Sequence, residues 1–550
     1  MGTSIVEVIG HSLITPLGIG VQTNYQQIMA GRSALTLQRA EDWHVNEDFY
    51  AGIIPDELLP SDIQGSRPFR LALQSLRLAM GSDKWDNCER TQLFLATTKG
   101  DIDIPLPTFA QQLNEAIGLC LPPVVVSNAC TSGVCAQVAA QRAIQSGRID
   151  YAIVCGVEVV SRFIVSGFQS LHAMSTQPCQ PFSMNRMGIN LGEAAVSIIY
   201  QGTKVCTSDR WHVVSSAISS DAYHISAPSK HGTGSAQALT EALGNLPHEQ
   251  LAFINVHGTG TLFNDEMEAQ ALNRASLNEI PIFSLKGYYG HTMGAAGLLE
   301  TLISMESVDN HTMPATLGYD EDLGTSLPVK VSSTNQPVEG RVFLKLISGF
   351  GGSNAAVLMA KRAPNDDEEH SHYLLKQENI TITQKHRVRI EPDGRSLTEL
   401  YRELGQSYPK FYKMDALSRL GYIASEKLLN KETEERFISR KDRAIVLFSR
   451  NGCHDCDSRY FETIRVDKYF PSPSLFVYSL PNIVAGEIAI RNQYQGEASF
   501  YLLDQPDEDL MLDIIKDTFR NESTHSILGG WVDYTDPSHF LADLCIYTKQ

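Results

Sequence analysis

Short apolar runs alternate with amphipathic stretches along the first 361 residues. The runs "SIVEVIG" (4–10), "QLFLATT" (92–98) and "VVVSNA" (124–129) are rich in β-branched residues and bounded by small or polar ones, which is typical of buried strands. "VCAQVAAQRAIQSG" (134–147) repeats apolar residues at helical spacing instead. The alternation predicts an α/β fold whose sheets are covered by helices on both faces.

The same alternation returns between residues 251 and 361. Two apolar strands each lead into a helical pattern, and two further runs follow each other closely, as in a hairpin. The segments are "LAFINV" (251–256), "DEMEAQALNRA" (265–275), "IPIFSL" (280–285), "MGAAGLLETLISME" (293–306), "RVFLKLIS" (341–348) and "AAVLMA" (355–360). This repetition predicts a second α/β half of similar construction.

A polar stretch divides the chain. "KRAPNDDEEHSH" (361–372) is charged and has no periodicity, so we assign residues 362–372 to a linker. Residues 373–550 again alternate strands such as "RAIVLFS" (443–449) with helices such as "EDLMLDIIKDTF" (508–519). We therefore expect two domains, one at 1–361 and a smaller α/β region at 373–550.

Composition and charge exclude several functional classes. No run of about 18 apolar residues occurs, so no membrane span is predicted. The first residues lack the basic and apolar segments of a secretory signal. The net charge of −18 disfavours nucleic acid as a partner, because phosphate binding requires a basic face. Ten cysteines in 550 residues indicate free thiols and a cytoplasmic location.

Cys130 is the first candidate for chemistry. It lies between a predicted buried strand and a predicted helix, followed by the small residues Thr131, Ser132 and Gly133. A helix N-terminus can lower a thiol pKa, because it favours the thiolate. Taken alone, however, such a cysteine is more often a small residue of the core.

Two histidines occur in the same context. His257 and His291 each follow a predicted strand inside a turn of small residues, and Lys286 precedes His291 by five positions. In α/β folds, ligand chemistry takes place at the carboxyl ends of strands. A single histidine of this kind is more often structural, but a cysteine and two histidines in matching contexts indicate one catalytic site.

Three motifs in order carry a resemblance to a known family. "SNACTSG" (127–133), "QPFSMNRMGINLGEAA" (180–195) and "GFGGSNAAVLM" (349–359) resemble motifs of the β-ketoacyl-[acyl-carrier-protein] synthases, in their elongating Cys-His-His form. The resemblance covers residues 1–361. It implies a thiolase fold, in which two duplicated α/β halves stack as five α-β-α-β-α layers.

The resemblance also implies roles for individual residues. Cys130 would accept the acyl chain, and His257 and His291 would bind the malonyl thioester and assist its decarboxylation. Lys286 would organise the histidine pair electrostatically. The backbone N–H groups of Cys130 and Phe350 would form the oxyanion hole, and the Phe350 ring would act as a gate. The supporting acids would be Asp265, Glu268 and Glu300.

The implied reaction is a decarboxylative condensation that yields a β-ketoacyl thioester, in fatty acid or in polyketide or polyene synthesis. No metal and no cofactor would be required, since the substrates arrive on the phosphopantetheine arm of acyl carrier protein. That acidic partner requires a local basic patch, for which Arg67 and Arg70 are candidates. The resemblance further implies a homodimer or a ketosynthase-like heterodimer.

Several departures from the family pattern concern the substrate more than the chemistry. Gly287 stands where serine is common, and Ile347 and Ser348 stand where a Ser-Phe pair is common. The stretch between "TTKGDID" (97–103) and Cys130 is short, although it normally contributes to the dimer contact and the acyl pocket.

Residues 373–550 resemble part of a ketosynthase N-terminal half. The resemblance lies in "YKMDALSRLGYIASEKLL" (412–429) and "SPSLFVYSLPNIVAGEIAIRNQYQGEASFYLLDQ" (472–505), where Gln505 replaces the nucleophile. It implies a non-condensing region similar to a chain-length factor; a docking or stabilising module is the alternative. The Cys-x-x-Cys of "NGCHDCDS" (451–458) lacks the further ligands of a zinc site.

Two other functions stay open at this point. A thiolase or an initiating synthase would use CoA thioesters, but His291 in "GHTMGAAG" (290–297) argues against the Cys and Asn patterns of those relatives. A purely non-catalytic partner is disfavoured by the presence of Cys130, His257 and His291 together.

Overall fold

The computed structural model describes residues 5–81, 85, 87–204, 209–362 and 380–550. Of the predicted linker 362–372, only Arg362, the last residue of a strand, lies within these ranges. The strands are β1 (Ile5–Thr15), β2 (Gly18–Ile19), β3 (Thr36–Gln38), β4 (Phe49–Gly52), β5 (Thr91–Ala96), β6 (Val124–Val126), β7 (Tyr151–Glu158), β8 (Leu191–Gly192), β9 (Ala194–Thr203), β10 (Arg210–Ser220), β11 (Leu251–Asn255), β12 (Pro281–Phe283), β13 (Thr312–Met313), β14 (Lys330–Val331), β15 (Gln336–Pro337), β16 (Val342–Gly349), β17 (Ser353–Arg362), β18 (Ile382–Ile390), β19 (Arg443–Ser449), β20 (Ala498–Leu502), β21 (Ser526–Asp536) and β22 (His539–Lys549).

Four of the helices overlap the predicted helical segments 134–147, 265–275, 293–306 and 508–519. The helices are α1 (Val21–Met29), α2 (Ala40–Trp43), α3 (Arg67–Met80), α4 (Leu106–Ala116), α5 (Ser132–Gln145), α6 (Arg162–Ser170), α7 (Thr233–Leu243), α8 (Leu262–Arg274), α9 (Lys286–Tyr289), α10 (Ala296–Asp309), α11 (Leu397–Arg402), α12 (Ala416–Leu429), α13 (His454–Thr463), α14 (Pro473–Tyr478), α15 (Ile483–Asn492) and α16 (Glu508–Thr518). None of the helices in the described ranges is long and apolar enough to cross a bilayer.

The described chain contains one five-stranded arrangement three times. The sheet orders are β6-β5-β7-β9-β1, β12-β11-β16-β17-β10 and β20-β19-β21-β22-β18. Numbered along the chain within each sheet, all three read 3-2-4-5-1. We call the described residues of 5–204 unit A, those of 209–362 unit B and those of 380–550 unit C.

Units A and B stack face to face around two central helices. The helix α5 contacts strands of both sheets, and so does α10. All 14 residues of α5 and 12 of the 14 in α10 are buried, as expected for helices with a sheet on either side. With α3 outside unit A and α7 outside unit B, this gives the five layers that the resemblance implied, and the predicted thiolase fold is confirmed.

Unit C continues the sheet of unit A. Strand β20 pairs antiparallel with β6, with Tyr501 opposite Val126 and Leu502 opposite Val125. The two five-stranded sheets thereby become one sheet of ten strands. The edge strand β6, which leads directly to Cys130, is therefore covered within the same chain.

Unit C has only one sheet, so its helix α16 has a sheet on one side, and it also contacts α5 of unit A. Five of its 11 residues are buried, in contrast to α5 and α10. On the same side of the sheet, Arg387 and Arg389 of β18 form ion pairs with Asp543 of β22, at 2.5 and 3.0 Å. Charged side chains thus lie on the face of the unit C sheet that corresponds to the enclosed face in units A and B. In those units, helices and then a second sheet cover this face.

Candidate active site

Two equivalent turns bring the predicted catalytic residues together. Three residues before α5, Ala129 has a φ of +51°, and three residues before α10, Met293 has a φ of +44°. The start of α5 packs closely against the second turn: a Cβ at Gly133 would lie 2.8 Å from the carbonyl oxygen of Gly294. Cys130 in the first turn therefore faces the turn that contains His291.

Cys130, His257 and His291 form a chain of direct contacts. The Nε2 of His291 lies 2.9 Å from the Sγ of Cys130, and the rings of His257 and His291 meet edge to face with centroids 4.9 Å apart. The backbone N–H of Met293 donates to Nδ1 of His291 at 3.2 Å. A neutral imidazole that accepts at Nδ1 carries its proton on Nε2, so His291 presents an N–H to the sulfur.

Asp265 and Glu268, the predicted supporting acids, hold the His257 turn through its backbone. Glu268 of α8 accepts hydrogen bonds from the amides of His257 and Gly258, at 2.6 and 2.7 Å. Asp265 accepts from the amides of Gly260 and Phe182, at 3.2 and 2.8 Å. Burial raises the pKa of Glu268 to about 7, and the nearby Asp265 carboxylate adds to this.

A buried three-charge network lies behind the histidines. Glu300 of α10, a predicted supporting acid, pairs with Lys286 and also with Lys345, whose Nζ is 2.5 Å from Oε2. The Lys345 ammonium also donates to the carbonyl oxygens of Asn255 and Val256, at 3.4 and 3.3 Å. Lys345 was not among the predicted residues; the available signal was a lysine within the otherwise apolar strand "RVFLKLIS".

The environment keeps the histidines neutral and the thiol protonated. Burial, and next the ammonium of Lys286, hold the pKa values of His257 and His291 well below the ordinary value. Burial raises the pKa of the Cys130 thiol to about 12, and Lys286 offsets this only in part. The expectation that the helix N-terminus lowers this pKa is wrong, because the desolvation of the sulfur outweighs it. The Cys130 thiol therefore carries its proton at neutral pH.

Cys130, His257 and His291 have the spacing of a metal site, but the nitrogen of His291 that faces the sulfur carries a proton. The sulfur and the imidazole nitrogens lie within 4.8 Å of one another. The Met293 amide, however, places the His291 proton on the nitrogen that faces the sulfur, where a metal would need a lone pair. The ammonium groups of Lys286 and Lys345 also disfavour a bound cation electrostatically. The donor set therefore fits proton and anion chemistry better than metal binding.

A cavity of about 390 Å³ connects Cys130 to the surface. Thr259 and Thr261 line it beyond His257, and Met187 and Phe263 form its mouth with exposed fractions of 68% and 75%. Such a cavity is large enough for an extended substrate arm and has an apolar rim around its opening.

Phe350 lies where the predicted gate is expected, in the wall of this cavity. Its ring centroid is 6.2 Å from that of Phe168, and its loop approaches the nucleophile closely. A Cβ at the preceding Gly349 would be 3.1 Å from the Cys130 amide nitrogen. The structure therefore brings both predicted oxyanion-hole residues to one place, while their role stays a prediction.

The predicted docking arginines are engaged elsewhere. Arg67 pairs with the buried Glu193 and with Asp56, each at 2.7 Å, and Arg70 donates to the carbonyl oxygen of Pro60. Neither residue lines the cavity.

The Cys-x-x-Cys pair is buried in unit C and hydrogen-bonds to the backbone. The thiol of Cys453 donates to the carbonyl oxygen of Ser479 at 2.8 Å, and that of Cys456 donates to Leu475 at 3.3 Å. Burial raises the pKa of both thiols above the ordinary value. These contacts favour a structural role.

Comparisons with known proteins agree with this geometry. The models of the β-ketoacyl synthase N-terminal and C-terminal domains match residues 107–204 and 211–320. Nodulation protein E of Rhizobium meliloti is 30% identical over 297 residues, which cover 51% of this chain and 73% of that protein. The 3-oxoacyl-[acyl-carrier-protein] synthase 2 of Vibrio cholerae is 30% identical over 272 residues, 46% of this chain and 65% of that protein.

A solved structure resembles the whole chain. The PfaC keto synthase-chain length factor structure matches 100% of this chain and 78% of its own, with a TM-score of 0.75 and 13% identity, so this likeness concerns the fold. Together with the matched domain models and the geometry around Cys130, these relationships place the protein in a family: the chain belongs to the β-ketoacyl synthases, which are condensing acyltransferases.

Proposed function

We propose that this protein condenses an acyl thioester with malonyl-acyl carrier protein and releases CO₂. The observation that carries the proposal is the contact of the Cys130 sulfur with the Nε2–H of His291, with His257 beside it. A thiol and two neutral imidazoles at the end of one cavity supply a nucleophile and two donors for an enolate oxygen.

In the first half-reaction, Cys130 attacks the carbonyl carbon of an acyl thioester on acyl carrier protein. A new carbon–sulfur bond forms at Cys130, and the bond to the carrier sulfur breaks. The Cys130 proton passes to the departing carrier thiol, so the step is balanced without a further reactant. The N–H of His291 stabilises the developing thiolate, whose formation burial would otherwise oppose.

In the second half-reaction, malonyl-acyl carrier protein loses CO₂ and becomes an enolate. Donors on His257 and His291 stabilise the enolate oxygen, and the Cys130 and Phe350 amides stabilise the oxyanion formed on the acyl group. The enolate carbon attacks the acyl-Cys130 carbonyl carbon, and the carbon–sulfur bond breaks. The released thiolate takes up one proton and restores Cys130. No metal or redox cofactor takes part in this proposal.

The proposed partner is acyl carrier protein, whose phosphopantetheine arm would enter the cavity of about 390 Å³. The exposed rim of Met187, Leu262 and Phe263 supports docking of a protein at this mouth. Arg67 and Arg70 stay candidates for the basic contact, although Arg67 is already paired with Glu193.

We propose for unit C a non-condensing role similar to that of a chain-length factor. Gln505 stands in its turn where unit A has a cysteine, and β20 covers the edge strand β6. This arrangement supports a pseudo-dimer within one chain, in place of the predicted homodimer or ketosynthase-like heterodimer. The acyl length and the pathway, fatty acid or polyketide or polyene synthesis, are properties of the substrate that the experiment below must identify.

The test is acyl transfer to the purified protein from acyl carrier protein that carries a medium acyl chain. We expect one acyl adduct, mapped by mass spectrometry to Cys130 and absent from Cys130→Ala. Addition of malonyl-acyl carrier protein should then release a β-ketoacyl product. An adduct formed only from acyl-CoA would overturn the proposal in favour of a CoA-dependent thiolase-like enzyme. No adduct from either donor would favour a non-catalytic partner.

A further inference from the structure

Unit C contacts the catalytic loop that carries Phe350. The side-chain Nδ2 of Asn482, in the residue that precedes α15, donates to the carbonyl oxygen of Phe350 at 2.8 Å. Asn482 is the residue that caps α15, yet its side chain makes no capping hydrogen bond to that helix. Its amide is therefore directed at unit B rather than at its own helix.

This hydrogen bond completes the restraint of one peptide group. The carbonyl of Phe350 and the amide of Gly351 belong to the same peptide plane. The amide donates to the carbonyl oxygen of Ile225 at 2.7 Å, and the carbonyl accepts from Asn482. Both polar atoms are thus held, one from within unit B and one from unit C. A peptide plane restrained at both ends cannot rotate without losing a buried hydrogen bond.

The packing around this peptide leaves no room for adjustment. A Cβ at Gly351 would lie 2.5 Å from Nδ2 of Asn482, and one at Gly486 of α15 would lie 2.7 Å from the carbonyl oxygen of Gly351. Gly351 also has a φ of +85°, which favours glycine. The two backbones therefore approach each other directly, without side chains between them.

Unit C also supports the Phe350 ring and the nucleophile turn. Phe476 of α14 packs against Phe168 with centroids 5.3 Å apart, and Phe168 in turn contacts Phe350. In the nucleophile turn, Asn128 lies two residues before Cys130. Its side-chain Oδ1 accepts a hydrogen bond from the backbone amide of Phe500 of unit C at 2.8 Å. Both segments that carry the proposed oxyanion-hole amides are thus anchored to unit C.

We infer that unit C positions the oxyanion hole of the neighbouring units, with Asn482 as the positioning residue for the Phe350 loop. This inference rests on the proposed acyl transfer to Cys130. Asn482 touches no substrate in it; it fixes the peptide plane that follows Phe350. Through the Cα of Phe350 this plane restrains the preceding peptide plane, which carries the Phe350 amide. A displacement of about 1 Å in such a donor can lower a rate by about a hundredfold.

The test compares three variants of the full chain in single-turnover acyl transfer to Cys130. Asn482→Asp keeps the shape but presents a carboxylate to a carbonyl oxygen, and Asn482→Ala removes the group. Asn492→Ala is the matched control, since Asn492, the last residue of α15, is also a buried asparagine but makes its contacts within unit C. Its Nδ2 donates to the carbonyl oxygen of Ile488 at 3.0 Å, and its Oδ1 accepts from Arg436 at 2.8 Å. Alkylation of Cys130 by iodoacetamide is measured in parallel, because this reaction needs the thiol but no oxyanion hole.

We expect acyl transfer to fall by about tenfold or more in both Asn482 variants, at least as far in Asn482→Asp as in Asn482→Ala. Alkylation should stay within about twofold of the unmodified protein, and Asn492→Ala should transfer acyl groups normally. Normal transfer in Asn482→Asp would overturn the inference, as would equal losses in Asn492→Ala or a parallel loss of alkylation. An unmodified protein that forms no adduct would instead overturn the proposed function.

Discussion

Units A and C have the same strand order but differ at the turn after the third strand. In unit A, the turn after β6 places Cys130 before α5, whose first turn contains no acidic residue. In unit C, the corresponding turn after β20 is followed by α16, whose N-terminus carries Asp507, Glu508 and Asp509. Carboxylates at a helix N-terminus already use its positive end. At this turn, unit C therefore lacks a helix N-terminus free to stabilise an anion, and it lacks a thiol at the position that corresponds to Cys130.

The two turns also differ in burial, and the turn of unit C is again the one less suited to stabilise an anion. Counted from the paired residues Val126 and Tyr501, Cys130 and Gln505 are each four positions further along the chain. Ala129 beside Cys130 has a positive φ, whereas no residue between Leu502 and Glu508 does, and Gln505 is exposed. We infer that the Cys130 turn needs a second sheet to enclose it. Unit B supplies that sheet to unit A, and no described unit supplies one to unit C.

The first prediction tests the enclosed turn of unit A. His291→Ala removes the only donor found at 2.9 Å from the Cys130 sulfur among the described residues. We expect condensation to slow by about 10²- to 10³-fold, the usual effect of losing one oxyanion-type donor. Stopped-flow or quenched single-turnover assays measure this. A variant that condenses at the normal rate would show that the contact has no catalytic consequence.

The second prediction tests the junction of units A and C. Arg142 of α5 and Glu497 form an ion pair at 2.8 Å, with side chains 6% and 0% exposed. Arg142→Ala leaves a buried carboxylate without its partner, so we expect the free energy of unfolding to fall by about 3 kcal/mol. Chemical denaturation measures the change.

The control for this prediction is the exposed pair of Arg90 and Asp150, also at 2.8 Å. Arg90→Ala should change the free energy of unfolding by no more than about 0.5 kcal/mol. The double variant Arg142→Leu with Glu497→Leu should recover most of the loss, because no unpaired charge stays buried. Equal effects of Arg142→Ala and Arg90→Ala would contradict a buried junction.

The third prediction concerns Lys345, the buried cation that pairs with Glu300 behind the histidines and has no equivalent in unit C. Its ammonium disfavours protonated His257 and His291, so Lys345→Met should raise the pKa of both histidines. The acid limb of the condensation rate should then move to higher pH. When each protein's rate at pH 6 is divided by its own rate at pH 8, we expect this ratio to be about threefold lower in Lys345→Met than in the unmodified protein.

The sign of this effect follows from the charges. The histidines act as neutral donors, and the loss of a nearby positive charge makes their protonation easier as the pH falls. Burial lowers the pKa of Lys345 itself to about 8, so its influence fades above that pH and the two profiles should converge there. Profiles of the same shape in both proteins would show that Lys345 does not tune the histidines.

The residues that sequence reasoning found share a local signal, and those it missed do not. Cys130, His257 and His291 each follow an apolar strand in a turn of small residues, so the pattern and the order of motifs sufficed to predict that the three lie together. Lys345 acts through packing between a strand and α10, and Asn482 lies 132 positions from Phe350. The repeated strand order of the three units likewise depends on long-range pairing. The pKa of Cys130 depends on the depth of burial, which no motif encodes.

The smallest expected effect tests unit C directly. Gln505→Cys restores a thiol at the position that corresponds to Cys130, but the turn is exposed and its helix terminus is acidic. Three acidic side chains there disfavour both a thiolate and an oxyanion. We therefore expect no acyl adduct at position 505 by mass spectrometry, with normal acylation of Cys130 in the same sample. An adduct at position 505 would contradict the difference drawn between units A and C. It would mean that the turn alone suffices for acyl transfer, without an enclosing sheet and without the histidines of unit B.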